Sequence, residues 1–560
     1  MGVVVLAAIG AAQPETALDR DLLDVTVPKL QQLYADHKYT VTQVVQWHID
    51  RIDRYNGVYG AIETLFRRDA LADAARLDKG ADGASRGALW GVPVVIKANT
   101  SIRGYPTTAG WEGFTRPGHE LIAPLDATIV AKFKSAGAII IGTANMPDLA
   151  NSDTNRSSSF GRTGNAYDVR FSPGGSSGGI VTAVAANMAV LGNGTDTGNS
   201  IRMPAATSAL VGVFPTRGLV SIAGIAPLDW LLDNTGPIAR NATDAAIALS
   251  VMAGEDPRDQ RTVGIPASAE RPPYSSSLAP GALKGKRFGV PAFVLAGDGV
   301  PFHGLPYAVT GPAFERLRTA ANIPLRPETR EMFTTSIAAL RAAGAEVVED
   351  AGILPVAFAK LASRVATYAY MQDGTNQFLV AFGPAEYHSA AEYAQKVGSP
   401  LFTSSIGTET YFNKLGNVRI AQRLLASDPD AERMYHAPRR DMLNTYLETL
   451  TRLKLDGYVY PAIQMPPPDE TMPQDGGISS GPHSATSWVN MIGVPAIVVP
   501  AGFYPSGLPF GLEFSSRPWT DGDLLGIAYA WEQATHLRKP PTLVETGLLP
   551  VTRAREPVRR

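Results

Sequence analysis

The stretch from Ser172 to Ala205 constrains the fold more than any other part of the chain, because an apolar segment joins two groups of small and hydroxyl residues. It reads SPGGSSGGIVTAVAANMAVLGNGTDTGNSIRMPA. The Pro-Gly-Gly triplet at 173–175 interrupts regular structure, and apolar residues at helical spacing follow over 180–188. The pattern predicts serines at the start of a helix, then a short buried strand (AVLGNG) and a loop over 195–200.

This stretch has three interpretations that need no family likeness. An isolated GGSSGG is typical of a flexible linker, but a core-like helix and strand follow it here. Glycines at a helix start also favour a phosphate site, yet the Gly-Lys-Ser/Thr ending of that motif is missing. In the third interpretation, residues 174–178 form the Gly-x-Ser-x-Gly elbow of an α/β-hydrolase, with Ser176 as nucleophile and His483 or His536 as base.

Composition excludes several classes of protein. A chain of 560 residues with 45% hydrophobic content can bury a large core, and its net charge of −2 gives no basic field for nucleic acid or anionic lipid. With no cysteine, thiol nucleophiles and thiolate metal sites are excluded. The eight histidines show no metal-binding spacing, so we expect neither a metal nor an organic cofactor. Beyond the first residues, no apolar run is long enough to span a bilayer.

The two ends of the chain differ from the rest. Residues 1–15 begin MGVVVLAAIGAA and resemble the apolar half of an export signal, although a basic start is missing. We interpret them as a remnant of such a signal, which predicts a periplasmic or secreted protein, with a cytoplasmic location as the alternative. Residues 553–560 form a basic tail that we expect to be solvated.

Between these ends, the chain alternates between helical and strand patterns. Residues 26–80 have a helical pattern, in which Thr40 and Gln43 form a capping box and His48 lies on an apolar face as a packed residue. From Leu89, strands such as VPVVIK alternate with helices. Residues 293–326 are rich in Gly and Pro and are predicted to form a surface excursion. The alternation predicts an α/β fold: a single large domain with a central mixed β-sheet covered by helices on both faces.

Three segments together resemble the amidase signature family of serine amidohydrolases. They are LWGVPVVIKANTSIRGYPTTAG, the run from GGSSGG to GTDTGNSIRMPA, and NMIGVPAIVVPAGFYPSGLPFGLEF. The resemblance implies an amidase domain over 16–552, with a signature core at about 85–245. It also implies a variable helical region at about 293–455 that shapes the acyl-binding channel, and a C-terminal sheet region at 456–552.

The same resemblance implies a catalytic triad. Ser200 would be the nucleophile, Ser176 a bridging serine on a cis peptide, and Lys97 the base. The backbone N–H groups of the oxyanion hole would belong to Thr197, Gly198, Asn199 and Ser200. Such a site hydrolyses a small-molecule amide through an acyl-enzyme and could also cleave esters or carbamates. Supporting roles fall to Ser177, Asp196, Arg202 and Ser152, and Asn151 lies where the family places polar residues near the site.

Two positions depart from the family pattern. Ala98 stands where the family commonly has aspartate, and Asn199 stands where it usually has glycine. We expect Asn199 to affect substrate choice more than catalysis, with its tolerance of left-handed φ preserving the loop. For Lys97 to act as a base near neutral pH, its pKa must fall by about 3 units from about 10.4, which corresponds to roughly 4 kcal/mol. Burial at the end of an apolar strand could supply this shift.

Two further functions remain open at this point. The family includes the glutaminase subunit of a tRNA-dependent amidotransferase, although the export-like leader and the excursion over 293–326 argue against that role. A protein that binds amides without hydrolysing them is the other possibility, and the presence of all three triad residues argues against it. We expect a monomer or homodimer that binds a small-molecule amide, without nucleic acid and without integral membrane segments.

Overall fold

Alternating strands and helices build an 11-stranded mixed sheet in the described part of the chain. The structure is a computed structural model that describes residues 16–80, 86–296, 324–362, 364–401, 421–471 and 481–545. The expected signal remnant at 1–15, the basic tail at 553–560 and most of the excursion at 293–326 lie outside the described residues.

The strands are short, as the runs of β-branched residues between glycine and proline predict. They are β1 (Ile62–Leu65), β2 (Pro93–Lys97), β3 (Ile139–Ala144), β4 (Arg156–Ser157), β5 (Gly161–Arg162), β6 (Leu191–Asp196), β7 (Val211–Phe214), β8 (Asn234–Ala239), β9 (Arg287–Gly289), β10 (Glu346–Val348), β11 (Gly457–Pro461), β12 (Ala496–Phe503) and β13 (Pro509–Ser515).

The sheet is mixed, with two parallel groups joined by antiparallel strands. Its order is β1-β3-β2-β6-β8-β7-β12-β13-β11-β9-β10, and β4 and β5 form a separate hairpin. β3, β2 and β6 run parallel, as do β11, β9 and β10, while the other pairings in the sheet are antiparallel. Every residue of β2, β3, β6 and β8 is buried, which requires cover on both faces. The predicted α/β fold is therefore confirmed.

The helices supply that cover. They are α1 (Ala17–Leu22), α2 (Val27–Ala35), α3 (Val41–Tyr59), α4 (Arg67–Lys79), α5 (Thr128–Ser135), α6 (Gly178–Ala185), α7 (Arg202–Ala206), α8 (Ala242–Met252), α9 (Ala292–Ala296), α10 (Pro327–Ala342), α11 (Val356–Ala362), α12 (Met371–Phe382), α13 (Ala390–Val397), α14 (Ala437–Arg452), α15 (Trp488–Ile492) and α16 (Asp521–Thr535). The predicted capping box of α3 is present at Thr40 and Gln43. His48 is buried on that helix, and burial lowers its pKa to about 3.

The structure corrects the helical prediction over 26–80. Residues 62–65 (IETL) form β1, which pairs antiparallel with β3 at the edge of the sheet. Only its first residue is fully buried, so the strand has no clear twofold alternation in the sequence. The pairing partner therefore decides the conformation of this segment, and that partner lies far away in the sequence.

The topology brings three separate segments to one edge of the sheet. β2 and β6 are parallel neighbours, with Val95 opposite Gly192, so both strands end at the same edge. Lys97 is the last residue of β2 and Thr195 lies near the end of β6. α6 packs against both strands and starts directly after the serines of the GGSSGG segment. The candidate site lies at this edge.

Candidate active site

Lys97 is buried beneath the sheet edge among hydroxyl groups. Its side chain has no solvent exposure. The ammonium nitrogen Nζ lies 2.7 Å from Ser176 Oγ, 3.0 Å from Ser177 Oγ and 2.8 Å from Thr195 Oγ1. A neutral lysine has one lone pair and two N–H donors. This set of partners therefore allows Ser176 to donate to the lone pair while the N–H groups bond to the other two hydroxyls.

Burial makes the neutral form of Lys97 accessible near neutral pH. Desolvation lowers its pKa to about 7, although the negative charges of Asp196 and Asp233 act in the opposite direction. No carboxylate forms an ion pair with Lys97 among the described residues. The next residue, Ala98, instead packs in a small apolar cluster with Met146 and Ala150. The shift matches the size that a lysine base requires in order to work near neutral pH.

The lowered pKa of Lys97 predicts a pH-dependent stability difference. The unfolded chain keeps Lys97 protonated up to about pH 10.4, whereas the folded chain releases this proton above about pH 7. The unfolded state therefore binds more protons in this window, and stability rises with pH. We expect the free energy of unfolding of the wild type, minus that of Lys97→Met, to rise by about 1.4 kcal/mol per pH unit between about pH 7 and 10. Denaturant unfolding at several pH values measures this slope, and a flat difference would show that Lys97 is charged when folded.

Ser176 is fully buried and lies directly before α6. The peptide bond between Gly175 and Ser176 is cis. Among the described residues, Lys97 is the only side chain that hydrogen-bonds to the Ser176 hydroxyl, so no histidine takes the place that the α/β-hydrolase interpretation requires. Gly175 packs so closely on the loop at 152–154 that a Cβ there would lie 2.4 Å from the Ser152 carbonyl oxygen. This contact fixes the backbone that carries Ser176.

Ser200 lies beside the two serines of the first motif. Its carbonyl oxygen accepts a hydrogen bond from the backbone N–H of Ser177 at 3.2 Å. Its side chain is 6% exposed, whereas Ser176 and Lys97 have no exposure, so Ser200 is the member of the group that a substrate can reach. Among the described residues, no hydrogen bond joins the hydroxyls of Ser176 and Ser200. Such bonds are often completed only when substrate is bound.

The loop before Ser200 presents backbone donors. Within the described residues, no group accepts a hydrogen bond from the backbone N–H of Gly198, Asn199 or Ser200. Unpaired N–H groups beside a hydroxyl are the donors that an oxyanion would need. The Thr197 hydroxyl donates to Asp233 Oδ1 at 2.5 Å, and the Gly198 carbonyl accepts from Arg202 Nη2 at 2.9 Å. These two contacts hold the loop from both sides.

Asn199 does not need the left-handed conformation that we expected it to tolerate. Its φ is not among the positive φ values of the structure, so the expectation about left-handed tolerance is wrong. Its side-chain Nδ2 donates instead to Asp153 Oδ1 at 3.3 Å. In the same loop, Ser152 Oγ lies 2.9 Å from Thr154 Oγ1 and accepts from the Thr154 N–H at 3.1 Å. The Ser152 side chain therefore orders its own loop, while its carbonyl contacts Gly175.

Asp196 and Arg202 form a buried ion pair under the loop. Arg202 has no exposure, and its Nε lies 3.1 Å from Asp196 Oδ2. Its Nη1 lies 2.7 Å from Glu513 Oε1, and its Nη2 lies 2.6 Å from Asn490 Oδ1. Burial opposes the charged form of Asp196, but Arg202 and the N–H of Ile201 hold its pKa below the usual range. Burial raises the pKa of Glu513 even though Arg202 lies against it.

Several polar residues of the site were not singled out from the sequence. Thr195 bonds to Lys97, Asn99 Nδ2 donates to Thr195 Oγ1 at 3.1 Å, and Asp233 accepts from Thr197. The strand period gave a signal for Thr195, because it lies two residues after Asn193, which accepts from the Lys97 N–H at 3.1 Å. Asp233, Asn490 and Glu513 are distant in sequence, and nothing near them marks their role.

Metal ligation and membrane insertion have no support in the described residues. No group of three or more His, Asp or Glu side chains there is arranged to hold a metal ion. No helix in the described segments is both long and apolar enough to cross a membrane.

Comparisons with known proteins agree with this geometry. A family model described as amidase matches residues 43–299 and 316–525. A subunit of the glutamyl-tRNA(Gln) amidotransferase from Alkaliphilus metalliredigens is 33% identical over 519 residues, covering 91% of this chain and 96% of that protein. The corresponding protein from Moorella thermoacetica is 31% identical over 546 residues, covering 93% and 99%. The structure of peptide amidase from Stenotrophomonas maltophilia superposes with a TM-score of 0.71 at 28% identity, covering 93% of this chain and 99% of that one.

The fold and the comparisons together define the class of protein. A mixed sheet between helices, with the lysine and the two serine segments at one edge, is the amidase signature fold. The chain belongs to the amidase family, which confirms the resemblance found in the sequence. Enzymes of this family are hydrolases or amidotransferases that act on C–N bonds.

Proposed function

We propose that the protein hydrolyses a carboxylic amide through a triad of Ser200, Ser176 and Lys97. The observation that carries this proposal is the buried Lys97, whose Nζ lies 2.7 Å from Ser176 Oγ and whose pKa burial lowers to about 7. A lysine at this position can be neutral and accept a proton at physiological pH. The neighbouring Ser200 combines a reachable hydroxyl with unpaired backbone N–H groups in its loop.

Each step of the reaction has a group to perform it. Ser200 Oγ attacks the amide carbonyl carbon while its proton passes to Ser176 Oγ, and the Ser176 proton passes to Lys97 Nζ. The N–H groups of the loop at 197–200 stabilise the oxyanion. The relay then runs backward and protonates the leaving ammonia or amine as the C–N bond breaks. Water hydrolyses the acyl-enzyme by the same proton path, and esters or carbamates could react likewise.

A serine-directed probe tests the assignment of the nucleophile. Treatment with a fluorophosphonate, followed by peptide mass spectrometry, should locate the adduct on Ser200. The rate of labelling should fall by at least about 100-fold in Lys97→Ala, because the base activates the hydroxyl. An adduct on Ser176 whose formation is indifferent to Lys97 would overturn the proposal and favour the α/β-hydrolase interpretation.

A second candidate is the glutaminase-type component of a tRNA-dependent amidotransferase. The two amidotransferase proteins compared above match almost their full length to this chain, and they support this candidate more strongly than the sequence alone does. Release of ammonia from glutamine is itself an amide hydrolysis, so the same triad would serve. In this interpretation the chain works together with other subunits and with tRNA, and the alternative cytoplasmic location applies in place of the periplasmic one.

Activity of the isolated chain separates the two candidates. A free-standing amidase releases ammonia from small amides as a purified single protein. A component of an amidotransferase requires its partner proteins and glutamyl-tRNA for full glutamine hydrolysis. Purification from the native host, with the ammonia release of the lone chain compared with that of any co-purifying complex, decides between them.

A further inference from the structure

The residues around Ser200 include one carboxylate that the proposed reaction does not use. Asp153 lies in the loop that packs on Gly175, so it stands beside the backbone that carries Ser176. It also accepts a hydrogen bond from Asn199, the residue directly before Ser200, at 3.3 Å. Asp153 is therefore held between the two serine segments of the site.

This carboxylate is not neutralised by the part of the protein that the structure describes. No Lys, Arg or His forms an ion pair with Asp153 among those residues, in contrast to Asp196 and Asp259, which each pair with an arginine. A carboxylate has about four acceptor positions, and the described residues donate one hydrogen bond to this one, from Asn199. Asp153 is only partly buried, so it can remain charged beside the substrate.

The surroundings also restrict where the carboxylate can move. A Cβ at Gly481 would lie 2.4 Å from Asp153 Cβ, so the chain at this glycine closes on the Asp153 side chain. Asn199 fixes the other side. A side chain held in this way presents a fixed negative charge and loses little conformational entropy when a ligand binds.

We propose that Asp153, oriented by Asn199, selects amides that carry a cationic group a few atoms from the scissile carbonyl, and that it disfavours those with a carboxylate there. This inference rests on the proposed function and names its substrate class. A cation gains Coulomb attraction from Asp153, and an anion is repelled by it. Asp153 is a specificity-determining residue and takes no part in bond breaking.

A matched series of primary amides tests the proposal through ammonia release. 4-Aminobutanamide, pentanamide and 5-amino-5-oxopentanoate have similar chain lengths and carry a positive, a neutral and a negative end. We expect kcat/KM to be at least about tenfold higher for the cationic than for the anionic amide. In Asp153→Asn this ratio should fall to within about threefold, while kcat/KM for pentanamide changes little. Asp36→Asn removes an exposed charge far from the site and should leave the ratio unchanged.

Binding measurements separate failure of this inference from failure of the proposed function. Thermal stabilisation of the full chain by each amide reports charge preference without turnover. An equal response to the cationic and anionic amides, or a preference that survives in Asp153→Asn, overturns the inference. Absence of ammonia release from all three amides, with a cation preference that Asp153 controls, leaves the inference standing and overturns hydrolysis of this class.

Discussion

Replacing Lys97 by methionine should lower kcat for amide hydrolysis by about 10³- to 10⁴-fold, near the upper range for loss of a general base. Methionine fills a similar volume without a titratable group, so Ser176 loses its proton acceptor. In the wild type, kcat/KM should rise with pH through about 7 and level off above it, because Lys97 must be neutral to accept the proton. Steady-state kinetics from about pH 5 to pH 9 measures both effects, and the limb near pH 7 should be absent from the variant.

Two further variants show whether Lys97 acts through the relay. Ser177→Ala removes a hydroxyl 3.0 Å from Lys97 Nζ that lies outside the proton path, so it should cost only about tenfold. Adding Ser176→Ala to Lys97→Met should cost little more than Lys97→Met alone, because residues of one relay are non-additive. Activity retained in Lys97→Met and lost in His483→Ala would contradict the triad.

The sequence allows the centre of this site to be predicted because its residues lie in three short motifs with strong local structure. Lys97 ends a strand of apolar residues, and Ser176 precedes a helix that glycines introduce. Parallel packing of β2 and β6 then brings Lys97 to the strand that leads toward Ser200. The ion pair of Asp196 and Arg202 also lies within one motif, and the structure places the two side chains together.

The remaining parts of the site depend on contacts between distant segments. Asp233 reaches the loop through Thr197, and Asn490 and Glu513 reach it through Arg202. Each is an ordinary polar residue in its own neighbourhood, with no spacing that marks a partner far along the chain. β1 was missed for the same reason, since its pairing with β3 outweighs the helical pattern around it.

Replacing Arg202 by methionine should reduce the free energy of unfolding by about 3 to 5 kcal/mol, because it leaves buried carboxylates without their cation. Asp196 and Glu513 have no exposed side-chain surface, and Arg202 lies within 3.1 Å of both. Arg202 also donates to the Gly198 carbonyl at 2.9 Å, so its loss frees the loop that carries the unpaired N–H groups. Denaturant unfolding measures the stability, and the fluorophosphonate labelling rate of Ser200 at a temperature where the variant is folded measures the loop.

Glu513→Gln provides the matched control for this network. A glutamine can still accept from Arg202 and from the Tyr460 hydroxyl through its oxygen, and Glu513 Oε2 has no hydrogen-bond partner among the described residues. The substitution leaves one positive and one negative charge, Arg202 and Asp196, in the buried network. We therefore expect a loss of less than about 1 kcal/mol, because the hydrogen bonds persist and one buried charge disappears. A loss as large as that of Arg202→Met would show that the second carboxylate, and not the uncompensated burial of Asp196, dominates the stability of the loop.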